Sequence, residues 1–314
     1  MSRTPPNDKG PTSKTFSPAK NTPQNAIAGA AFMVAAGTCF ALINVAMQYV
    51  TMRLGLISTN AAFWQYAFAV AASLPLFLRF GLEPLKTGFP LIHGFRVLAA
   101  VIGVQFWVFG LAHVPIWQAI ALVMTSPFFV IIEARLFLGE KVGWHRWLAT
   151  LGGFIGALII LAPWQEDFSL YALAPLGAAF SWSVYSVITK SLTKVESADK
   201  ITVYLLALLM PVNGVIAFGA GTLAMPGGLA LILLIGAGLI TALANWFLAK
   251  AYSSADASYV QPFDHLKLPL NILAGWLVFH YIPNGNLWIG ATLIIIASLY
   301  IMRHEAKNGS TQKR

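Results

Sequence analysis

Long apolar runs, separated by short polar breaks, fill this chain from residue 27 to residue 302. A helix needs about 20 apolar residues to cross the hydrocarbon core of a membrane, and somewhat fewer when it is short or broken. Because backbone polar groups must be satisfied within a bilayer, such runs predict transmembrane helices and an all-α fold. The ten candidate spans are residues 27–50, 60–80, 91–112, 116–138, 146–163, 170–190, 201–219, 228–249, 257–279 and 286–302.

The composition supports a membrane protein that works without a cofactor. The chain is 58% hydrophobic and 10% charged, whereas soluble domains average about 25% charged residues. The net charge of +9 would suit nucleic acid, but the basic residues form no patch or RNA-binding motif, so we expect no nucleic-acid partner. Cys39 is the single cysteine, which excludes an internal disulfide. No Walker A, His-Glu-x-x-His or paired-cysteine motif is present, so we expect no cofactor, metal or ATP-driven step.

The positions of lysine and arginine predict the orientation. If the N-terminus is cytoplasmic, all 20 of these residues except Arg53 and Lys267 fall in inside loops, tails or span ends. A wrong span count would place the basic residues of the later loops on the outside of the membrane. We therefore predict ten spans in the inner (plasma) membrane with both termini cytoplasmic. The polar stretches 1–25 and 304–314 are predicted to be tails, the first disordered and the second mobile.

An internal repeat divides the chain into two halves of five spans. Residues 136–142, after a helix with Pro127, resemble residues 277–283, after a helix with Pro262 and Pro269. The offset of about 140 residues assigns 26–165 to the first repeat and 166–303 to the second. An odd number of spans per half forces the halves into opposite orientations, which is typical of secondary transporters.

These motifs make the chain similar to a known family. From residue 27 to residue 303 it resembles the drug/metabolite transporter superfamily, in the ten-span branch with two EamA domains. The residues that carry the resemblance are Ser126-Pro127, Leu138-Gly139-Glu140-Lys141, Gln261-Pro262-Phe263-Asp264, Gly275-Trp276-Leu277-Val278-Phe279, Pro283, Ile289-Gly290-Ala291 and Ser298-Leu299-Tyr300-Ile301.

The resemblance implies transport of a small organic metabolite. Family members commonly export amino acids or related compounds, and some take up riboflavin or S-adenosylmethionine. Glu140 then reads as a structural loop anchor, and Gly290 as part of a structural motif. Where members usually carry a second Gly-Glu, this chain has His280-Tyr281, so that loop lacks the acid.

The ninth span carries the main candidate site. At 100° per residue, Gln261, Asp264, Lys267 and Asn271 share one stripe of a helix. Asp264 and Lys267 are spaced for an ion pair, and ionisable groups at such depth usually face a cavity. The stripe is therefore a candidate substrate site, with an internally satisfied pair that orders a broken helix as the alternative. His265 points to another face and reads as a packed histidine.

Other polar residues in the spans could complete a cavity, although each could equally serve helix packing. Pro127, Pro262 and Pro269 are predicted to hinge or line the path. Glu133 and Arg135 are expected to snorkel or to pair with Arg146 or Lys141, with a gate role as the alternative. The further substrate-binding candidates are Asn44, Gln48, Gln105, Trp182, Tyr185 and Asn245.

The leading hypothesis is a secondary transporter that exports an amino acid or a related zwitterionic or neutral compound by alternating access. The alternative is uptake of a vitamin or cofactor such as riboflavin or S-adenosylmethionine by the same fold. An intramembrane enzyme that uses Asp264 and His265 is a weaker alternative, because adjacent helical residues point about 100° apart. Gly152-x-x-x-Gly156 could support a homodimer or internal packing.

Overall fold

Helices account for all regular structure in the residues that the computed structural model describes, which are 23–80, 87–113, 120, 122–161, 170–279 and 286–311. A π-helical turn, Tyr49–Arg53, follows the first helix, and a 3-10 turn, Leu170–Ala172, precedes the sixth. The helices are α1 Pro23–Gln48, α2 Ser58–Phe80, α3 Pro90–His113, α4 Ser126–Phe137, α5 Trp144–Leu161, α6 Leu173–Leu192, α7 Ala198–Gly219, α8 Gly228–Ser254, α9 Ala257–Asp264, α10 Lys267–Phe279 and α11 Asn286–Thr311.

These helices confirm the predicted polytopic membrane fold of ten spans, since α9 and α10 are two parts of one broken span. Within the described ranges, four segments are long and apolar enough to cross a membrane by length and composition alone. They are Asn25–Thr51, Pro90–Trp107, Ala198–Gly219 and Gly228–Ser254. The other helices are shorter, broken or less apolar, and they pack in the same bundle.

The two ends of the chain differ from the sequence expectation. Helix α1 begins at Pro23, a residue favoured in the first turn because its fixed φ suits a helix; residues 1–22 of the predicted tail lie outside the described residues. Helix α11 continues to Thr311, beyond the predicted span end at residue 302. Good helix formers extend it, with Glu305, Ala306 and Lys307 among them. His280 and Tyr281 also lie outside the described residues.

The helix contacts show a two-fold arrangement of inverted repeats. Helix α1 packs along α8 and against α10, while α6 packs along α3 and against α4. Helix α2 contacts α7, and α5 contacts α11. Exchanging α1–α5 with α6–α11 converts each of these contacts into another of the set. The two halves are therefore built alike, and their interface runs through the middle of the bundle.

The Gly152-x-x-x-Gly156 motif serves this internal packing. A Cβ added to Gly156 would lie 2.8 Å from the Gly290 carbonyl oxygen and 2.9 Å from Ile294 Cγ1. A Cβ on Gly152 would lie 3.5 Å from Ala297 Cβ. The motif thus lets α5 approach α11 closely, as small residues do in membrane helices. The homodimer stays a prediction that this face does not support.

Candidate substrate site

The ninth span is broken in the middle of its charged stretch. Helix α9 ends at Asp264 and α10 begins at Lys267, with a turn between them. Pro269 accounts for the break, because its ring clashes with the carbonyl of the residue four positions earlier, His265, and it has no N–H to donate. The His265 carbonyl accepts instead from the Leu268 N–H, at 3.1 Å. Pro262 lies inside α9, which continues past it.

The fourth span has an equivalent break. A turn at Met124–Thr125 precedes α4, whose first turn holds Pro127. Helix α4 packs on α9, and Met124 shares an apolar cluster with Leu268. The two broken spans therefore meet near their breaks. In transporters with inverted repeats, broken helices of this kind form the substrate site near the bilayer midplane.

An ion pair bridges the break in the ninth span. Asp264 Oδ2 lies 2.6 Å from Lys267 Nζ, and their side chains are 11% and 20% exposed. The sequence spacing predicted this pair, although it joins two helices rather than two turns of one. Lys267, the first residue of α10, packs against α1, where a Cβ on Gly37 would be 3.3 Å from the Lys267 Cβ. Glycine at position 37 therefore lets the lysine backbone approach α1.

Two amides continue this contact between the halves. Asn44 Nδ2 donates to Asn271 Oδ1 at 3.0 Å, and Asn271 Nδ2 donates to the Lys267 carbonyl at 2.7 Å. Asn44 is exposed, yet it lies more than a quarter-turn around α1 from the outward-facing Ile27 and Leu42. Its exposed side is therefore the one next to Asn271 of α10. We call the surface formed by Asn44, Asp264, Lys267 and Asn271 the α1–α10 cleft.

The structure does not bring every candidate residue to this cleft. Gln261 is buried and accepts a hydrogen bond from the Tyr252 hydroxyl of α8, at 3.0 Å. Gln48 lies one turn beyond Asn44 and is half-buried. Gln105 is exposed on the same side of α3 as Leu98 and Ile102, which are 53% and 40% exposed. That side faces outward, so Gln105 is separate from the cleft.

Tyr185 and Asn245 belong to a second polar cluster. The Tyr185 hydroxyl donates to Asn245 Oδ1 at 3.3 Å, and Asn245 Nδ2 donates to the Thr241 carbonyl at 2.9 Å. Gln65 Nε2 donates to Thr241 Oγ1 at 2.8 Å. This cluster joins α2, α6 and α8, and its polar groups already have partners within the protein.

Trp182 forms an aromatic pair with Trp107 beside the two breaks. Their ring centroids are 6.0 Å apart at an interplanar angle of 49°. Both rings pack against the cluster that contains Met124 and Leu268. The Trp182 indole lies directly over Gly103 of α3, where no Cβ could fit. We call Trp107 and Trp182, which pack near Leu268 at the start of α10, the aromatic wall.

Comparisons with known proteins identify the family. The model of the EamA-like transporter family matches residues 27–162 and 169–303. The chain belongs to the EamA-like transporter family. A riboflavin transporter from Rhizobium johnstonii is 56% identical over 91% of this chain and 94% of its own length. Another, from Vibrio cholerae, is 50% identical over 91% of this chain and 96% of its own length.

More distant similarities agree with this assignment. An S-adenosylmethionine uptake transporter from Rickettsia felis is 32% identical over 84% of this chain and 88% of its own length. A crystal structure at 17% identity covers 90% of this chain and 98% of its own with a TM-score of 0.73, which shows the shared fold. This EamA-like protein is a membrane transporter of a small metabolite and not an enzyme. In line with that, His265 is buried with its ring on Gly153 of α5.

One end of the transporter carries charged groups that hold its two halves together. The carboxylate of Glu140 accepts hydrogen bonds from the backbone N–H groups of Ala257 and Ser258, at 3.0 and 3.1 Å, and from the Ser258 hydroxyl at 2.7 Å. Arg146 donates to the Ser258 Oγ at 2.7 Å and pairs with Asp256 at 3.3 Å. The α4–α5 loop of the first half therefore fastens the start of α9 in the second.

Further charges at the same end were not singled out by the sequence. Lys190 Nζ donates to the carbonyl of Tyr252, in the last turn of α8, at 2.8 Å, and to that of Ala255, just after α8, at 2.5 Å. His93 Nε2 lies 2.7 Å from Glu196 Oε2, and Arg96 donates to the Ile201 carbonyl at 2.5 Å. The sequence showed Arg96 and Lys190 only as charges near span ends. Their burial depends on neighbouring helices, for which the sequence pattern carries no signal.

Glu133 differs from its expected role at the membrane surface. Its side chain is buried, and Oε1 lies 2.8 Å from Ser183 Oγ of α6. It does not pair with Arg146, whose guanidinium binds Asp256 and Ser258. Arg135, two residues later, is exposed as expected. The prediction was wrong for Glu133 because its side chain lies against α6, and the sequence pattern did not reveal which side of α4 packs on α6.

Proposed function

We propose that this transporter imports riboflavin across the inner membrane by alternating access. The observation that carries the proposal is the pair of relatives named riboflavin transporters, which are 56% and 50% identical over nearly their whole length. Vitamin uptake, first weighed as the alternative, is thus better supported than amino-acid export. Uptake of S-adenosylmethionine is the second candidate, because a relative of that name is 32% identical.

The α1–α10 cleft suits an uncharged, hydrogen-bonding solute. Asp264 and Lys267 neutralise each other at 2.6 Å, so the cleft offers no net charge to attract an ion. Asn44 and Asn271 each have a carbonyl oxygen and an NH₂ group that can exchange their mutual bond for bonds to a ligand. Riboflavin has no net charge at neutral pH, and it presents ribityl hydroxyls and ring carbonyls. We assign these polar groups to the cleft.

The aromatic wall suits the flat ring system of a flavin. Trp107 and Trp182 lie next to the breaks in the fourth and ninth spans, and offset stacking on an aromatic face contributes about 0.5–1.5 kcal/mol beyond surface burial. We propose that the isoalloxazine ring stacks on Trp182. Gln48 would extend the cleft by one turn, whereas Gln261, Tyr185 and Asn245 would support its walls from behind through the bonds they already make.

The same proposal includes the orientation and the parts that move. The end that carries Glu140, Lys190 and Glu196 would be cytoplasmic, with both termini on that side, as the lysine and arginine distribution predicts. The repeats 26–165 and 166–303 would rock against each other, and the two family matches support this division. Pro127 and Pro269, each in the first turn of a helix, would mark the flexible points.

Substrate competition in proteoliposomes tests the function. Purified protein is reconstituted, and uptake of labelled riboflavin is measured against an excess of unlabelled riboflavin, S-adenosylmethionine or an amino-acid mixture. We expect saturable uptake that only riboflavin and close flavins suppress. Suppression by S-adenosylmethionine at lower concentration than riboflavin would favour the second candidate. Uptake no faster than in protein-free liposomes would contradict riboflavin transport.

A further inference from the structure

Glu133 is a buried carboxyl group that forms no ion pair with any described residue. It lies on α4 and is 6% exposed, and its Oε2 has no hydrogen-bond partner. Within the described part of the chain, none of the ion pairs includes it. An isolated carboxylate in an apolar interior costs far more than a neutral group, so such residues in membrane spans commonly mark ion or proton paths.

The hydrogen bonds of Ser183 distinguish between the two forms of Glu133. Ser183 Oγ lies 2.8 Å from Glu133 Oε1 and 2.6 Å from the Phe180 carbonyl oxygen. A hydroxyl has one proton and can donate to one of them. If Glu133 is ionised, Ser183 can donate to the carboxylate or to the Phe180 carbonyl but not to both, and the charged Oε2 has no donor. If Glu133 is protonated, it donates to Ser183 Oγ, which donates to Phe180, and the group left without a donor is a neutral carbonyl oxygen.

The ionisable groups on the helices around α4 are engaged elsewhere. On α6, Lys190 binds the carbonyls at the end of α8. On α9, Asp264 pairs with Lys267, and on α5 Arg146 pairs with Asp256. Tyr259 of α9 lies under the Arg146 guanidinium, 5.9 Å from it. Among the described residues, none of these side chains is therefore left to neutralise Glu133.

We propose that Glu133 and Ser183 form the proton-binding site that couples a proton gradient to transport. The contact joins α4 of the first half to α6 of the second, so it forms and breaks as the halves move. When the contact is buried, Glu133 has its proton bound. Glu133 loses this proton only when the contact is open to the solution on one side of the membrane. The movement that carries riboflavin inwards therefore takes one proton from the outer solution and releases it inside, and the empty transporter returns with the contact open and the Glu133 carboxylate in water.

The position of this site agrees with such a role. In the inverted repeat, the contact between α4 and α6 is the counterpart of the contact between α10 and α1. The first holds Glu133 with Ser183, and the second holds Asn271 with Asn44. One of the two symmetry-related contacts would thus bind the proton and the other the substrate. The same movement of the halves would then link proton binding to substrate binding.

Accumulation of riboflavin driven by a pH gradient tests the coupling. This test rests on the proposed function, in which riboflavin is the transported solute. Proteoliposomes with a clamped membrane potential receive an outer solution that is one pH unit more acidic, and the internal riboflavin is measured. One pH unit is about 1.4 kcal/mol per proton, so one-to-one coupling gives about tenfold accumulation. Glu133→Gln can donate to Ser183 as the protonated acid does. It should therefore equilibrate riboflavin without accumulating it, and should keep riboflavin counterflow.

Matched variants and a second readout make the outcomes decisive. Ser183→Ala should reduce accumulation, whereas Ser191→Ala, an exposed serine on the same helix, should not. Accumulation by Glu133→Gln at the wild-type level, or wild-type accumulation driven by a sodium gradient alone, would overturn the proposal. If the wild type does not carry riboflavin, the proposed function fails and infrared spectroscopy decides the site. A protonated-carboxyl band at neutral pH that Glu133→Gln removes supports it, and unchanged spectra refute it.

Discussion

Replacing Glu140 by alanine tests how the two halves are fastened at the charged end. The carboxylate accepts two backbone N–H groups and one hydroxyl from Ala257 and Ser258, at 2.7–3.1 Å. Glu140→Ala removes all three bonds and leaves the first N–H groups of α9 without their acceptor. It also removes a negative charge from a helix N-terminus, where the macrodipole favours one.

The expected loss of stability is about 2 kcal/mol. A hydrogen bond to a charged group contributes about 1.5–3 kcal/mol, and loss of a helix N-cap costs about 0.5–2 kcal/mol. Because Glu140 is half exposed and water can replace part of what is lost, we take the lower part of these ranges. In a thermal unfolding assay in detergent, about 2 kcal/mol corresponds to a fall of roughly 3 °C in the midpoint, because the unfolding entropy of about 2.1 cal/mol/K per residue applies to a chain of 314 residues.

Two variants in the same loop control the experiment. Glu140→Gln keeps one acceptor oxygen and should fall between the wild type and Glu140→Ala. Lys141→Ala changes the adjacent, exposed residue and should leave the midpoint within about 1 °C of the wild type, as surface substitutions usually do. If Glu140→Ala unfolds at the same temperature as Lys141→Ala, the carboxylate does not fasten α9 and the reasoning is wrong.

Two further substitutions test the packing and the buried pair. Gly156→Leu should lower the unfolding midpoint strongly, because its Cβ would lie 2.8 Å from the Gly290 carbonyl oxygen. Gly236→Ala should not, because no atom lies within 4 Å of the added Cβ. Equal midpoints for the two variants would contradict the close α5–α11 crossing. Lys267→Met and Asp264→Asn should each lower the free energy of unfolding by about 3 kcal/mol, because each leaves one buried charge without its partner. The double variant should lose less than the sum of the two single losses. Additive losses in a double-mutant cycle would mean that the pair is not coupled.

Much of the fold follows from the sequence, because length and apolar content decide whether a helix spans a membrane. The sequence also predicted the Asp264–Lys267 pair, since residues three apart in a helical stretch are neighbours. Two prolines flanking this pair indicated an interruption, and Pro269 fixes its position through the clash with His265. The end of α11 was missed because polar residues with high helix propensity continue a helix into water.

The candidate site was harder to predict, because the neighbouring helices decide which side of each helix faces the interior of the bundle. Asn44 and Gln105 are both amides in long apolar helices, yet Asn44 faces α10 and Gln105 lies on the outward side of α3. No local pattern separates them, since helical periodicity gives relative angles within one helix and not which side a second helix covers. Glu133 shows the same limit, because its partner Ser183 is 50 residues away in the chain.

Flavin binding by two matched amide variants tests the central claim most directly. Asn271→Leu and Gln105→Leu each replace an amide by an aliphatic side chain, one in the α1–α10 cleft and one on the outward face of α3. Riboflavin is titrated with each purified protein, and its fluorescence quenching gives the dissociation constant. Loss of two hydrogen bonds at about 1 kcal/mol each should weaken binding by Asn271→Leu roughly 30-fold, while Gln105→Leu should bind like the wild type. Equal affinities of Asn271→Leu and the wild type would contradict the site.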